Sequence, residues 1–119
     1  MSGNLHHDRM VSGLAQYLES EGVRIIGLAL QGRNQPREVN GMVPDVEGID
    51  ASRNPVYGEA EECDSYANDH TRKQLEAFSR SSNTRVFLAV PSICFATAQD
   101  YYRTNLAGRK ITVLSYNGQ

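Results

Sequence analysis

The stretch GMVPDVEGIDASRNPVYGEAEEC, residues 41–63, decides the fold that the sequence predicts. Two short runs, 42–49 and 56–62, read as extended segments, and the turn formers DASRNP separate them. Two such runs joined by a short turn are typical of a β-hairpin. The same stretch carries six carboxylates. Some interaction must therefore stabilise this concentration of negative charge in a short hairpin.

Three of these carboxylates, Asp45, Glu59 and Glu61, are expected to converge. Because side chains alternate along a strand, Glu59 and Glu61 share one face while Ala60 faces the other. A register that pairs the start of the first strand with the end of the second brings Asp45 beside them. Like charges at such range repel each other unless a cation lies among them.

The chemistry of this trio points to a hard divalent cation. Mg²⁺ prefers oxygen ligands and usually takes only a couple of carboxylates, which leaves places for water and substrate phosphates. Such a centre makes a nucleophile from bound water and holds a phosphodiester for attack. The sequence therefore predicts a Mg²⁺ or Mn²⁺ site that hydrolyses a phosphate ester.

The segments on either side of the hairpin predict further helices and strands. Apolar residues at three- and four-residue steps predict helices over 5–21, 68–81 and 92–107, and short apolar runs predict strands over 23–30, 84–90 and 110–116. The run at 23–30 is apolar almost throughout, which is typical of a strand covered on both faces. Together these elements predict an α/β fold whose mixed sheet combines a meander with a strand–helix–strand crossover and is flanked by helices.

Length and composition bound the remaining possibilities. A chain of 119 residues, 39% hydrophobic and 22% charged, is expected to fold as a single domain over 1–119. No apolar run is long enough to cross a bilayer, so we expect no membrane partner and a cytoplasmic location. Cys63 and Cys94 lie far apart and outside metal-ligand spacing, which predicts reduced thiols. The formal net charge of −2 counts against strong binding to nucleic acid through phosphate contacts.

The dipeptide Pro44-Asp45, followed after a turn by Glu59-Ala60-Glu61, resembles the motif of the PD-(D/E)xK nuclease superfamily. The resemblance covers nearly the whole chain and extends to archaeal Holliday junction resolvases, in which a first helix ending LExEG precedes the metal-site strands, as residues 18–22 do here. It implies a restriction-endonuclease-like fold and an endonuclease that hydrolyses DNA with Mg²⁺ or Mn²⁺. It also implies a homodimer, so that two strands are cut.

The motif implies roles for individual residues. Asp45 and Glu59 match metal ligands of the superfamily, and Glu61 stands where the motif has Lys, so Glu61 is expected to be a third metal ligand or a base. The following helix resembles the one in relatives where a Gln supports the site, which makes Gln74 a candidate catalytic residue. Lys73 on the same helix is expected to take the place of the missing Lys.

Several other polar residues near these segments are weaker candidates. His70 shares the helix of Lys73 and Gln74. The superfamily also has an acid on its first helix, a role that Asp8 or Glu19 could fill. His6 and His7 precede Asp8 and are expected to be solvated neighbours of the site rather than ligands.

Other interpretations remain open. The Glu in place of the motif Lys is consistent with a non-catalytic nucleic-acid-binding or assembly module that keeps the nuclease fold. An unrelated α/β domain of flavodoxin-like or receiver type also places acids around Mg²⁺, but it needs parallel strands throughout. Acidic side chains on an edge strand can also simply deter pairing with another sheet.

Overall fold

The computed structural model describes residues 5–117 of the chain. The helices are α1 (Leu5–Ser20), α2 (Asp69–Phe78) and α3 (Phe95–Asn105), with a 3₁₀ turn at Ser92–Cys94 leading into α3. The strands are β1 (Arg24–Leu28), β2 (Val46–Ile49), β3 (Pro55–Ala60), β4 (Arg85–Pro91) and β5 (Ile111–Tyr116). Over residues 5–117, no helix is long and apolar enough to cross a membrane.

The strands form one mixed sheet in the order β1-β2-β3-β4-β5. β1, β2 and β3 pair antiparallel as a meander, whereas β3, β4 and β5 pair parallel. The predicted α/β class, with a meander followed by a crossover, is confirmed, and the parallel half contains two crossovers, through α2 and through α3. The antiparallel hairpin excludes a receiver-type domain, which needs parallel strands throughout.

The sheet lies between two helical layers, with α1 on one face and α2 and α3 on the other. The central strand β4 shows this most clearly. Phe87 and Ala89 belong to the core under α1, while Val86, Leu88 and Val90 belong to the core under α2 and α3. Because both faces of β4 are covered, its sequence is apolar at successive positions rather than alternating.

The strand predicted over 23–30 is shorter and less buried than expected, because β1 lies at the edge of the sheet. Gly27 and Leu28 are buried, whereas Ile25 and Ile26 are partly exposed. The chain that follows folds back over the end of β1, where a Cβ on Gly27 would lie 2.7 Å from the Pro36 Cα. The absence of a side chain at Gly27 therefore permits this close approach.

The helix boundaries follow local capping chemistry. Asn68 caps α2, because its side chain accepts a hydrogen bond from the Thr71 N–H at 2.8 Å. α1 ends at Ser20, just before Gly22, which has a positive φ of 90°. The third helix begins at Phe95 rather than at 92, because Ser92–Cys94 forms a 3₁₀ turn after Pro91.

The prediction of reduced thiols was wrong, since Cys63 and Cys94 form a disulfide with their Cα atoms 5.8 Å apart. Cys63 follows the end of β3, and Cys94 follows the end of β4. Neighbouring parallel strands end at the same edge of a sheet, so two cysteines separated by 31 residues in sequence become adjacent in space. Sequence spacing did not reveal this, because the chain between them makes the whole α2 crossover.

Candidate active site

Asp45, Glu59 and Glu61, named here the carboxylate cluster, lie where β2 begins and β3 ends. Val46 pairs with Gly58, which brings Asp45 beside Glu59. The Asp45 N–H donates to Glu59 Oε2 at 2.8 Å, and the Ala60 N–H donates to Asp45 Oδ2 at 2.9 Å. Each strand thus binds a carboxylate of the other through its backbone, and the structure places Asp45 and Glu59 together as the sequence indicates.

Glu59 is the most deeply buried member of the cluster, with 2% of its surface exposed. Burial, together with the charges of Asp45 and Glu61, raises the pKa of Glu59 well above its usual range. Within residues 5–117, Glu59 forms no ion pair with a basic side chain. Glu47 on β2 shows the contrast, because it is also buried but binds Arg37 with Oε2 and Nη2 2.6 Å apart. Glu59 is therefore a buried carboxylate whose charge has no basic partner in the described chain.

Glu61 extends the site one step beyond β3. Its N–H donates to Ala89 O at 3.0 Å, which continues the parallel pairing, and its Oε1 accepts a hydrogen bond from Ser65 Oγ at 2.6 Å. Burial raises the pKa of Glu61, although hydrogen bonds from Ser65 and Thr71 oppose this effect. Ser65 and Thr71 were not found from sequence, because a Ser in a loop and a Thr in a helix carry no distinctive pattern.

His7 reaches the cluster from the first turns of α1, so it is a neighbour of the site as expected, but it is partly buried rather than solvated. Its Nε2 donates to Ala60 O at 3.0 Å and lies 3.4 Å from Asp45 Oδ2. The hydrogen bond with Asp45 raises the pKa of His7 to about 9, so the ring carries a positive charge at neutral pH. Its spacing from the buried Met10 and Val11 at three and four residues is the signal that could have placed it on the inner face of α1.

Close packing of α1 against β3 positions this histidine. A Cβ on Gly58 would lie 2.8 Å from Leu14 Cδ2, so the bare backbone at Gly58 allows α1 to approach the strand. Asp8 lies beside His7, with Oδ1 4.0 Å from Nδ1. Glu19 is twelve residues from His7, roughly 18 Å along the helix axis, which removes it from the cluster. Of the two predicted first-helix acids, only Asp8 is near the site.

Gln74 and Lys73, the two catalytic candidates predicted on α2, lie on different sides of that helix. The Thr71 side chain acts to lower the pKa of the Glu61 carboxyl, and Gln74, three residues later, lies on the same side of the helix with 9% of its surface exposed. The Gln74 Oε1 atom has no hydrogen-bond partner among residues 5–117. Lys73 and His70 are exposed, and Lys73 is two residues from Thr71, which turns it toward the other side of α2.

The oxygen atoms at this edge have the chemistry of hard-cation ligands. Asp45 and Glu59 supply carboxylate oxygens, Ala60 supplies a carbonyl, and Gln74 Oε1 is a buried acceptor without a donor. However, as the side chains stand in residues 5–117, no group of three His, Cys, Asp or Glu residues is arranged to hold a metal ion. The residue types fit a divalent cation, and binding one requires some of these side chains to move.

Comparison with known proteins bears on the fold. No family model matches the sequence, and no curated protein matches it significantly. Among solved structures, the chain is similar to the crystal structure of a repair endonuclease from Pyrococcus abyssi, with a TM-score of 0.61 at 13% sequence identity. The match covers 100% of this chain and 50% of that one, so the chain spans about half the length of the endonuclease. The two share a nuclease-like fold.

The buried charge of Glu59 leads to a first prediction. A carboxyl whose pKa is higher in the folded than in the unfolded state loses stability as pH rises from the unfolded toward the folded value. In a chelator at about pH 8, Glu59→Gln is therefore expected to be more stable than the unmodified protein by about 1 kcal/mol or more. Urea denaturation measures this difference, which should vanish near pH 4, where the carboxyl is protonated in both states.

A matched control is Glu47→Gln, which weakens the ion pair with Arg37. That substitution should destabilise the fold at neutral pH, because it removes charge-assisted hydrogen bonds that the Arg37 backbone and guanidinium donate to the buried Glu47 carboxylate. A Glu59→Gln variant that is less stable than the unmodified protein at both pH values contradicts the assignment of Glu59 as an uncompensated buried charge.

His7 gives a second prediction, of opposite sign. Because its folded pKa of about 9 lies above its unfolded value of 6.5, the stability that it contributes is complete below the unfolded value and is lost as pH rises through about 9. His7→Gln should therefore destabilise the metal-free protein at about pH 6 and have little effect at about pH 10. Urea denaturation at both pH values tests this, with His6→Gln as the control on the exposed contact with Glu62. An equal loss at both pH values excludes a charged contact with Asp45.

Proposed function

We propose that this chain is a metal-dependent nuclease domain that hydrolyses DNA phosphodiester bonds. The observation that carries the proposal is the position of Glu59. Its carboxylate is buried, hydrogen-bonded to the Asp45 backbone and adjacent to two further carboxylates, with no basic partner in residues 5–117. Buried charges in proteins are ordinarily paired or bind metal, and a divalent cation answers this requirement.

The residues that would hold Mg²⁺ or Mn²⁺ are Asp45 and Glu59, with Glu61 as the third member. When bound, the cation would polarise a phosphoryl oxygen and lower the pKa of a coordinated water. The carboxylate oxygens not engaged by backbone N–H groups remain for this role, since Asp45 Oδ2 and Glu59 Oε2 already accept hydrogen bonds. The backbone bonds hold one oxygen of each carboxylate at the end of the hairpin, and the remaining ligand atoms would move to complete a cation site.

Glu61 is suited to accept a proton from the attacking water. Burial raises its pKa, and a base whose pKa lies closer to the working pH transfers protons more effectively. The Ser65 hydroxyl donates to Oε1 and thereby orients the carboxylate. A carboxylate cannot stabilise the negative charge that develops on the phosphate, so this position supplies only part of what a Lys would provide.

His7 supplies the positive charge that the motif position lacks. Its imidazole is charged at neutral pH and contacts Asp45, whereas Lys73 is exposed on α2. A cation at this position attracts a phosphate group toward the cluster. We therefore assign the role expected of Lys73 to His7, with Gln74 supporting the site from α2.

The fold shared with the Pyrococcus abyssi repair endonuclease supports a nuclease rather than another phosphate-ester hydrolase. Since this chain spans about half of that protein, the substrate and the partners remain proposals. DNA, branched or duplex, is the substrate that the resemblance favours.

A specific observation also favours the second candidate, a non-catalytic nucleic-acid-binding or assembly module. No group of three ligating side chains in residues 5–117 is ready to hold a metal, and Glu61 replaces the motif Lys. Calorimetric titration with Mn²⁺ separates the two functions. If the chain is a nuclease, it should bind Mn²⁺, and Glu59→Gln should remove this binding. A non-catalytic module is expected to show no Mn²⁺ binding.

Cleavage assays give the direct prediction. With Mg²⁺ or Mn²⁺, the protein should cut plasmid, junction or single-stranded DNA, and Asp45→Ala should abolish cutting. Glu61→Gln should lower the rate by about a hundredfold or more, the usual contribution of a positioned base. Asp50→Ala is the control, because Asp50 lies in the β2–β3 turn and binds Arg85 outside the cluster. Cutting that persists unchanged in Asp45→Ala refutes the nuclease assignment.

We further propose that the domain works as a homodimer, which allows both strands of a duplex to be cut. Light scattering at micromolar protein should give twice the chain mass of 13.2 kDa. A monomer mass that persists when DNA is added contradicts the proposal.

A further inference from the structure

The Cys63–Cys94 disulfide lies at the same edge of the sheet as the carboxylate cluster. Cys63 is two residues beyond Glu61, and Cys94 lies in the 3₁₀ turn that follows β4. The bond therefore joins the two chain segments that leave neighbouring parallel strands beside the site. No step of the proposed hydrolysis uses either sulfur.

Residues 61–65, named here the Glu61 loop, are held at both ends by other contacts. At the start, the Glu61 N–H donates to Ala89 O at 3.0 Å. Just beyond the end, Tyr66 is buried, and its carbonyl accepts a hydrogen bond from the Tyr102 hydroxyl. Between these points, the disulfide is the covalent contact that ties the middle of the loop to the rest of the fold.

The geometry of this loop sets the orientation of the Glu61 carboxylate. Ser65 Oγ donates to Glu61 Oε1 at 2.6 Å and accepts from the Glu62 N–H at 3.2 Å. Cys63 lies midway in sequence between Glu61 and Ser65, so any movement of Cys63 changes the conformation of the backbone that connects these two hydrogen-bonding residues. The disulfide therefore restrains the backbone segment that connects Glu61 to Ser65.

The bond is also placed where solvent reagents reach it. Cys63 is exposed, and Cys94 is partly exposed. Attack by a thiolate on a disulfide requires access to a sulfur, and exposed disulfides are the labile and regulatory ones. The Cα separation of 5.8 Å lies in the normal range for bridged cysteines, so the bond can reform without backbone rearrangement.

We propose that Cys63 and Cys94 form a reversible redox site that fixes the Glu61 loop when oxidised and releases it when reduced. In the reducing direction, two small thiols or one dithiol reductant give two electrons and two protons, the sulfur–sulfur bond breaks, and the reductant becomes a disulfide. In the oxidising direction, a disulfide oxidant takes the two electrons and two protons back. The effect of this change on metal binding rests on the proposed function, whereas its effect on the loop does not.

Hydrogen exchange of the full chain, in a chelator, tests the effect on the loop. Amides in residues 61–66 should exchange roughly tenfold or more faster after reduction with dithiothreitol, because local opening becomes easier. Amides of β2 should be unchanged. The Cys63→Ser/Cys94→Ser double variant is the control, since it should show fast exchange in the loop with or without the reductant.

Incubation of the native protein with mixtures of reduced and oxidised glutathione tests reversibility. Alkylation followed by mass measurement should show both forms interconverting while the circular dichroism of the fold is retained. A bond that glutathione reduces only in denaturant overturns the proposal, as does identical exchange of residues 61–66 in the two redox states. In either case the disulfide is a static clamp.

The consequence for the site is tested by Mn²⁺ affinity. The reduced form should bind Mn²⁺ about fivefold more weakly or worse, a typical coupling between two sites. Ser65→Ala should remove most of this redox dependence, because it cuts the link between the loop and Glu61. Equal affinity in the two redox states overturns the coupling to the site. If neither form binds Mn²⁺, the proposed function fails, and the exchange measurement alone decides the redox site.

Discussion

The whole site depends on the reciprocal hydrogen bonds between the start of β2 and the end of β3. The backbone of Asp45 binds the carboxylate of Glu59, and the backbone of Ala60 binds the carboxylate of Asp45. Backbone N–H donors stabilise ionised carboxylates, which offsets part of the cost of holding two acids side by side. The arrangement also fixes the end of the hairpin, so the geometry of the carboxylate cluster follows directly from the sheet register.

The six acids of the hairpin are treated differently, and the difference identifies the site. Glu47 binds Arg37, Asp50 binds Arg85 and the backbone of its own turn, and Glu62 contacts His6. Among the described residues, the carboxylate cluster has a cationic neighbour in the imidazole of His7, whose Nε2 lies 3.4 Å from Asp45 Oδ2. Because the other three acids of the hairpin each contact a basic side chain, the carboxylate cluster is distinct from them. We therefore assign the cluster to ligand binding and not to surface charge.

Much of this could be predicted from sequence, and the failures have definable causes. The hairpin and the convergence of Asp45 with Glu59 follow from short-range alternation and a turn, both visible in one stretch. The disulfide and the orientation of Ser65 depend on where the crossover through α2 returns the chain, which periodicity does not encode. His7 was misjudged because adjacent histidines near a chain start were weighed as a pair, although His7 alone follows the buried stripe of α1. The position of Lys73 on the exposed side of α2, two residues from Thr71, likewise depends on how the helix docks.

The sequence distances spanned by the sheet pairings bear on how the chain folds. The hairpin closes a short turn, whereas β3 meets β4 only after α2, and β4 meets β5 only after α3. Closing a short loop loses less chain entropy than closing a long one, so Asp45 and Glu59 can meet while water still screens their repulsion. The electrostatic penalty then opposes the later packing step that buries Glu59, which has 2% of its surface exposed in the folded chain. The acidic side chains of the hairpin therefore oppose the late, long-range steps of folding and have little effect on the early, local formation of the hairpin.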